Sequence, residues 1–351
     1  MPEQLSQVLC ETETNMHICV LGQAGTIFPS AKEDNPWSRF FDELKSKGHT
    51  IADNIESDEI EALIFLGYHP EMLDNAHFAG VALERRILIN WEPIVVEPEL
   101  YRSRYYLSFG YRFSPSLNWA NVLAGKDFGW PQATVEKLPE LTEWQSRKNK
   151  TVMIQANKYS AHKNGKYRLR RNVIAELGKQ GIIDLYGRDW DKSPSHNLRQ
   201  WLASLRRQEF FNISPIIGKL GYPRNRVVIG PTECKAETYS NYKIAIVIEN
   251  SLDYISEKLV DAVSAGCLTI YVESSNIRNE IPDFPKSLLS PATTFGICEN
   301  VQKLMSTTNT EKYFLLRQQH EAIKKFAERN NNFKVMQELG ASCNHVLGEY
   351  S

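Results

Sequence analysis

The sequence predicts an α/β protein of two Rossmann-like domains, and three observations predict it. At 351 residues the chain is long enough for two domains of ordinary size with separate cores. Short apolar runs ending in glycine or polar residues recur along it, as buried parallel strands do. Between them lie segments with apolar residues at helical spacing and a glycine near the end. Residues 16–140 and 150–330 are expected to form the two units, joined by a linker near 130–150 where charge, Pro and Gly concentrate.

The first unit begins at Met16. "MHICVLG" reads as a strand, and "NPWSRFFDELKSKGH" sets Trp37, Phe40, Phe41 and Leu44 on one helical face before Gly48 stops it. "EALIFLGYH" and "RILINWEP" are two further strands. Open parallel sheets collect ligands at the carboxyl ends of their strands, which directs attention to the polar residues that close each run.

The second unit repeats the alternation. "TVMIQAN" is a strand, "KYRLRRNVIAELGKQG" a helix with Leu169, Val173, Ile174 and Leu177 on one face, and "IIDLYG" the next strand. "YKIAIVIEN" and "CLTIYVE" follow as strands separated by a helix that Ser256 caps, Leu259, Ala262 and Val263 line and Gly266 ends. Further on, "EKYFLLRQQHEAIKKFAERNNNFKVMQEL" repeats apolar residues at helical intervals (Tyr313, Leu316, His320, Ile323, Phe326) and predicts a helix closing over this unit.

Composition narrows the function classes. Lys and Arg number 41 against 42 Asp and Glu, a formal net charge of -1, which excludes a bulk pull toward nucleic acid or anionic membrane. Arg206, Arg207, Arg224 and Arg226 therefore read as a solvated surface or a local anion site in a segment that shapes its own pocket. Lys324, Lys325 and Arg329 keep peripheral membrane association as a minor alternative. The six cysteines are scattered without a CxxC pair and predict reduced, mostly buried thiols, with neither a disulfide frame nor a zinc site. No apolar run approaches the roughly 20 residues of a membrane helix. The opening "MPEQLSQVLCETETN" has neither a basic nor an apolar signal region, so the expected location is cytoplasmic.

The chemistry concentrates around "ENSLDYISEK". Glu257 and Lys258 fall in the first turn of a helix that follows a strand, where unpaired backbone N–H groups and the helix dipole favour an anion such as a diphosphate. A nucleotide-sugar site needs cations for the diphosphate and an acceptor for the ribose hydroxyls. Lys258 with one of Arg168, Arg170 or Arg171 suits the first task and Glu257 the second, with no metal required to neutralise the leaving group. The same residues serve equally well as a solvated first turn and an ordinary basic helix face.

"YKIAIVIENSLDYISEKLVDAVSAGCLTIYV" closely resembles the donor-site segment of the α-1,3-fucosyltransferase family, glycosyltransferase family 10. Tyr242, Lys243, Glu249, Asn250, Ser251, Asp253, Tyr254, Glu257, Lys258, Ala265 and Gly266 match it. Upstream, the strand ending "DLYG" and Lys235 before the "YK" follow the family's order. Downstream, Asn276, Ile277, Ile281 and Pro282 resemble its next segment. The resemblance covers roughly residues 150 to 300.

The resemblance implies a GT-B fold, two Rossmann-like domains facing a central cleft, with an N-terminal acceptor domain and a C-terminal donor domain. It implies metal-independent, inverting transfer of fucose from GDP-fucose to a hydroxyl of a glycan acceptor, with nucleotide sugar and glycan as partners. The donor-binding residues it implies are Arg170 or its neighbour Arg171, Glu249, Asn250, Ser251, Tyr254, Glu257 and Lys258. Its base is a glutamate after an N-domain strand, followed by proline; Glu92 in "ILINWEPIVVEPELY" has that form, and Glu97 is the alternative. Trp91 beside it is placed for sugar stacking or for packing. This chain departs from the family at Val272, Glu273 and Ser274, where a glycine is expected, which opens a different nucleotide sugar as the alternative donor. A binding module without catalysis is the third reading.

Overall fold

A computed structural model of the chain describes residues 15–22, 28, 30–54, 59–115, 126–160, 162–190, 199, 202, 227–274 and 277–348. The segment around Arg206, Arg207, Arg224 and Arg226 lies outside the described residues, as do Cys10 and Asn276.

Among the described residues, two six-stranded sheets, each parallel throughout, organise the chain. The first takes β1 (His17–Leu21), β2 (Thr50–Ile51), β3 (Ala62–Leu66), β4 (Arg86–Ile89), β5 (Tyr111–Ser114) and β6 (Lys126–Asp127), in the order β2-β1-β3-β4-β5-β6. The central strands β1, β3 and β4 are buried on both faces, so they read as continuous apolar runs while their side chains still alternate. Ile18, Val20, Ile64 and Ile87 enter the core cluster on one face, and Cys19, Leu63, Phe65 and Leu88 enter the cluster on the other. The helix α1 (Trp37–Ser46) covers the first face through Phe40, Phe41 and Leu44, as its spacing predicts. The short helices α2 (Ala76–Gly80) and α3 (Ser103–Tyr106) contribute Phe78 and Tyr105 to the second.

The second sheet takes β7 (Lys148–Ile154), β8 (Ile183–Tyr186), β9 (Val228–Gly230), β10 (Tyr242–Val247), β11 (Leu268–Val272) and β12 (Leu289–Ser290), ordered β12-β11-β10-β7-β8-β9. The order reverses between β10 and β7, so the loops leaving these two strands diverge to opposite faces and leave a crevice between them. Its helices include α5 (Tyr167–Lys179), α6 (Lys235–Ser240), α7 (Glu257–Ser264), α8 (Ile277–Glu280), α9 (Thr294–Ser306) and α10 (Asn309–Arg329). The "DLYG" glycine has a mechanical role here. Gly187 takes φ +146°, and a Cβ there would lie 2.0 Å from the Gln155 carbonyl oxygen, so only glycine lets the end of β8 pass the loop leaving β7.

Two expectations change. The stretch predicted as linker holds the helix α4 (Leu141–Ser146), whose Trp144 is fully buried in the second domain's core and donates to the Gly266 carbonyl at 3.0 Å. The sequence hides this because one tryptophan in a charged six-residue helix leaves no periodic signal. The predicted C-terminal helix is two. α10 packs Leu316, Ile323 and Phe326 into the second core; the chain then breaks at Asn330 and Asn331, and α11 (Asn332–Gly348) returns to the first domain. There Met336, Leu339, Cys343 and Leu347 join the core under α1. Lys325 pairs with Asp283 at 3.4 Å and Arg329 donates to the Glu280 carbonyl, so two of the three cations considered for a membrane surface have partners within the domain.

No described helix is long and apolar enough to cross a membrane. Cys19, Cys267, Cys298 and Cys343 are buried free thiols and Cys234 is an exposed one.

Candidate functional site

The crevice between β10 and β7 is walled by the 248–256 loop and the 155–166 loop, tied together where Lys166 N–H donates to the Asn250 carbonyl at 2.9 Å. Glu249 leaves the end of β10 and turns inward, with no exposed surface. Its carboxylate accepts from Ser256 N–H at 2.9 Å and from Ser256 Oγ at 2.8 and 3.0 Å, beneath the N-terminus of α7. Lys258 Nζ closes the arrangement, 3.3 Å from Glu249 Oε2 and 2.8 Å from Ser256 Oγ. Burying Glu249 is tolerable because two donors and an ammonium surround it.

Glu257 points the other way, and its side chain is 38% exposed. Lys235 Nζ, from α6, lies 3.5 Å from its Oε1 and 3.0 Å from Asp261 Oδ2; Lys258 lies 3.9 Å from the same Oε1. Burial pushes the Glu257 carboxyl up, but the Lys258 and Lys235 ammoniums outweigh it and hold the pKa below the usual value. Burial raises the Asp261 carboxyl despite Lys235.

The two arginines separate. Arg170 is buried; its Nε donates to the Ile248 carbonyl at 3.0 Å, Nη2 donates to the same oxygen, and its guanidinium lies over the Tyr167 ring. It fastens α5 to the end of β10. Arg171 lies partly exposed over the Tyr159 ring, 3.8 Å from the centroid, and donates to the Lys158 carbonyl at 2.9 Å, shaping the loop that follows β7. Ser251 is buried and its hydroxyl donates to Asp253, while Asn250 is half-buried beside them.

Tyr254 crosses to the first domain. Its ring is buried within that domain's cluster, 5.3 Å from Trp130. Glu92 faces the crevice from that domain, two residues beyond the buried Asn90 that follows β4. Glu92 N–H donates to Asn90 Oδ1 at 3.1 Å, Asn90 Nδ2 donates to Tyr101 Oη at 3.0 Å, and that hydroxyl donates to the Glu92 carbonyl at 3.1 Å. Burial pushes the Glu92 carboxyl up, against the pull of Lys158 and Lys258, with Glu257 adding to the rise. Glu92 thus feels three charges of the second domain across the cleft. Glu97 precedes the 3-10 turn Pro98–Tyr101, and the groups it perturbs, Tyr68, Tyr101 and Tyr105, all belong to the first domain. Trp91 packs edge-on against Trp37, Phe128 and Trp130, a core-like role.

The structure thus brings Glu92 near Lys158, Lys258 and Glu257, with the buried Glu249 paired to Lys258; Asn250, Ser251 and Arg170 lie in or under the 248–256 loop. Sequence reasoning missed Lys158, Asn90 and Tyr101. The position of Lys158, four residues past β7, was the available signal, but the loop holds several lysines. Among the described residues, no group of three or more His, Cys, Asp or Glu side chains is placed to hold a metal ion.

No protein-family model matches the chain, and no curated protein does. Among solved structures it is similar to sucrose-phosphate synthase from Thermosynechococcus elongatus, with a TM-score of 0.51 and 10% identity over 83% of this chain and 74% of that one. It is also similar to a trehalose-6-phosphate synthase (TM-score 0.48, 12% identity, 81% and 72% covered). A glycosyltransferase from Rickettsia africae gives a TM-score of 0.46 at 10% identity, with 91% and 84% covered. At such identity the likeness to the sucrose-phosphate synthase speaks for architecture, not activity. Two parallel-sheet α/β domains in the GT-B arrangement are what the chain forms.

Proposed function

We propose that the protein is a glycosyltransferase that moves a sugar, fucose from GDP-fucose, to a hydroxyl of a glycan acceptor with inversion and without a metal. The observation that carries this reading is Glu92. It is a carboxylate of the first domain with a raised pKa, facing Lys158, Lys258 and Glu257 of the second. A base must take the acceptor's proton while cations receive the leaving diphosphate, and these groups divide those tasks across one cleft. The acceptor oxygen attacks the anomeric carbon as the bond to the diphosphate breaks. The proton passes to Glu92 and the bonding electron pair leaves on the diphosphate oxygen, next to Lys258 and Lys158. Glu257 accepts from the ribose. Arg171, partly exposed on the loop side, is the better placed of the two arginines to meet the diphosphate. Arg170, Glu249, Asn250, Ser251 and Tyr254 hold the donor loop in shape.

The test is transfer. Incubated with GDP-fucose and a panel of glycans, the protein is expected to release GDP and yield a product heavier by one fucose. Glu92→Gln is expected to lower turnover by about 10²- to 10⁴-fold, the usual worth of a general base, with GDP affinity unchanged. Full turnover in that variant would remove Glu92 from the reaction.

One observation favours a different sugar on the same nucleotide-sugar chemistry. At the end of β11, Glu273 accepts from Arg278 Nε at 2.8 Å and Ser274 is buried, so side chains stand where the resemblance calls for bare backbone beside the donor. Transfer from UDP- or ADP-sugars with none from GDP-fucose would select that reading.

A further inference from the structure

We infer that Lys235 is a positioning residue for the nucleotide's ribose: bridging Asp261 and Glu257, it holds the Glu257 carboxylate at the cleft to accept from both vicinal hydroxyls. The inference rests on the reading of the cleft as a nucleotide-sugar site. Glu257 and Asp261 stand at i and i+4 on α7, one above the other, where like charges repel. Lys235 Nζ sits between them, 3.0 Å from Asp261 and 3.5 Å from Glu257, and arrives from a separate helix, α6. Lys258 cannot take this place. Two of its three N–H donors go to Ser256 at 2.8 Å and Glu249 at 3.3 Å, leaving one for the crevice, and it is 3.9 Å from Glu257. Without Lys235, the Glu257 side chain is free to swing away from Asp261, and its orientation toward a ribose is lost.

The groups facing Glu257 set its titration. Lys235 and Tyr239 approach from α6, Lys258 and Asp261 from α7 itself, and Glu92 from the first domain, with Glu249 behind Lys258. Two ammoniums outweigh burial there. Removing one raises the pKa, and a protonated carboxyl accepts less well from two hydroxyls. The acid-side loss of nucleotide affinity then moves to higher pH.

Calorimetric titration of the full chain with GDP, UDP and ADP, each beside its 2′,3′-dideoxy form, tests this. The parent is expected to prefer the ribose form of its nucleotide by about tenfold or more, as a hydrogen bond to a charged acceptor allows. Lys235→Ala is expected to lose about tenfold toward the ribose form and little toward the dideoxy form, and to shift the acid limb upward. Lys235→Arg should restore most of the preference. A general loss of fold would weaken both forms alike. Undiminished ribose preference in Lys235→Ala, or none in a parent that binds nucleotide, overturns the inference alone; a parent that binds none of the three nucleotides overturns the reading of the cleft with it.

Discussion

Glu92 is the proposed base, and its surroundings disfavour its charge. Burial raises its pKa more than Lys158 and Lys258 lower it, which makes it a better proton acceptor than an exposed glutamate. The proposed base must be ionised, so turnover should rise with pH through the raised pKa and level off above it. The acid limb of a kcat profile should therefore lie above the ordinary carboxylate range. The same shift has a stability cost of known sign. A carboxyl whose folded pKa exceeds its unfolded value stabilises the fold below the unfolded pKa, and that contribution is lost as pH rises through the folded pKa. Glu92→Gln should thus melt higher than the parent at neutral pH, and the gain should vanish in acid; equal melting temperatures at both would contradict the assigned environment. At this scale the sequence was informative where a polar residue ends an apolar run. "RILIN" followed by "WE" marks Glu92, whereas Lys158 is one of several lysines in its loop and carries no mark of its own.

Arg170 and Arg171 show what a helix does to neighbours in sequence. About 100° of turn separates them, so one enters the core under the crevice and the other lies along the loop beside it. Arg170→Ala leaves the Ile248 carbonyl without its donors in a buried place and should destabilise the protein by about 2–4 kcal/mol, read by chemical denaturation. Arg171→Ala should cost about 1 kcal/mol or less in stability and weaken nucleotide binding. The reverse pattern would exchange their roles. β1, β3, β4, β10 and β11 were legible as apolar runs, and α1, α5 and α7 by an apolar stripe with a stop; β5, β9 and α9 were not read from the sequence. β2, β6 and β12 escaped because two residues make no pattern. α4 escaped because Trp144 anchors it alone.

For the whole molecule the last helix matters most. α11 leaves the second domain and completes the first domain's core against α1, a connection between distant parts of the sequence that no local pattern encodes. Their contact is close at Gly340, where a Cβ would lie 2.8 Å from the Phe40 carbonyl oxygen and from Glu43 Cβ. Gly340→Ala should force the helices apart at a cost of about 1–3 kcal/mol, seen as a lower melting temperature. Tyr254 adds a second tie, since this residue of the 248–256 loop packs on Trp130 in the first domain's cluster. The facing of Glu92 and Lys258 depends on these ties, and neither could be read from the donor signature.

Residue, helix and domain arrangement meet in the cleft proposed to hold a nucleotide sugar. Thermal shift with GDP, UDP, CMP and GDP-fucose, in the parent and in Lys258→Ala, addresses that proposal most directly, because a ligand that binds only the folded state raises its melting temperature. A shift with GDP, a larger one with GDP-fucose, and loss of both in Lys258→Ala are expected. No shift with any nucleotide, or one that Lys258→Ala leaves intact, would contradict it.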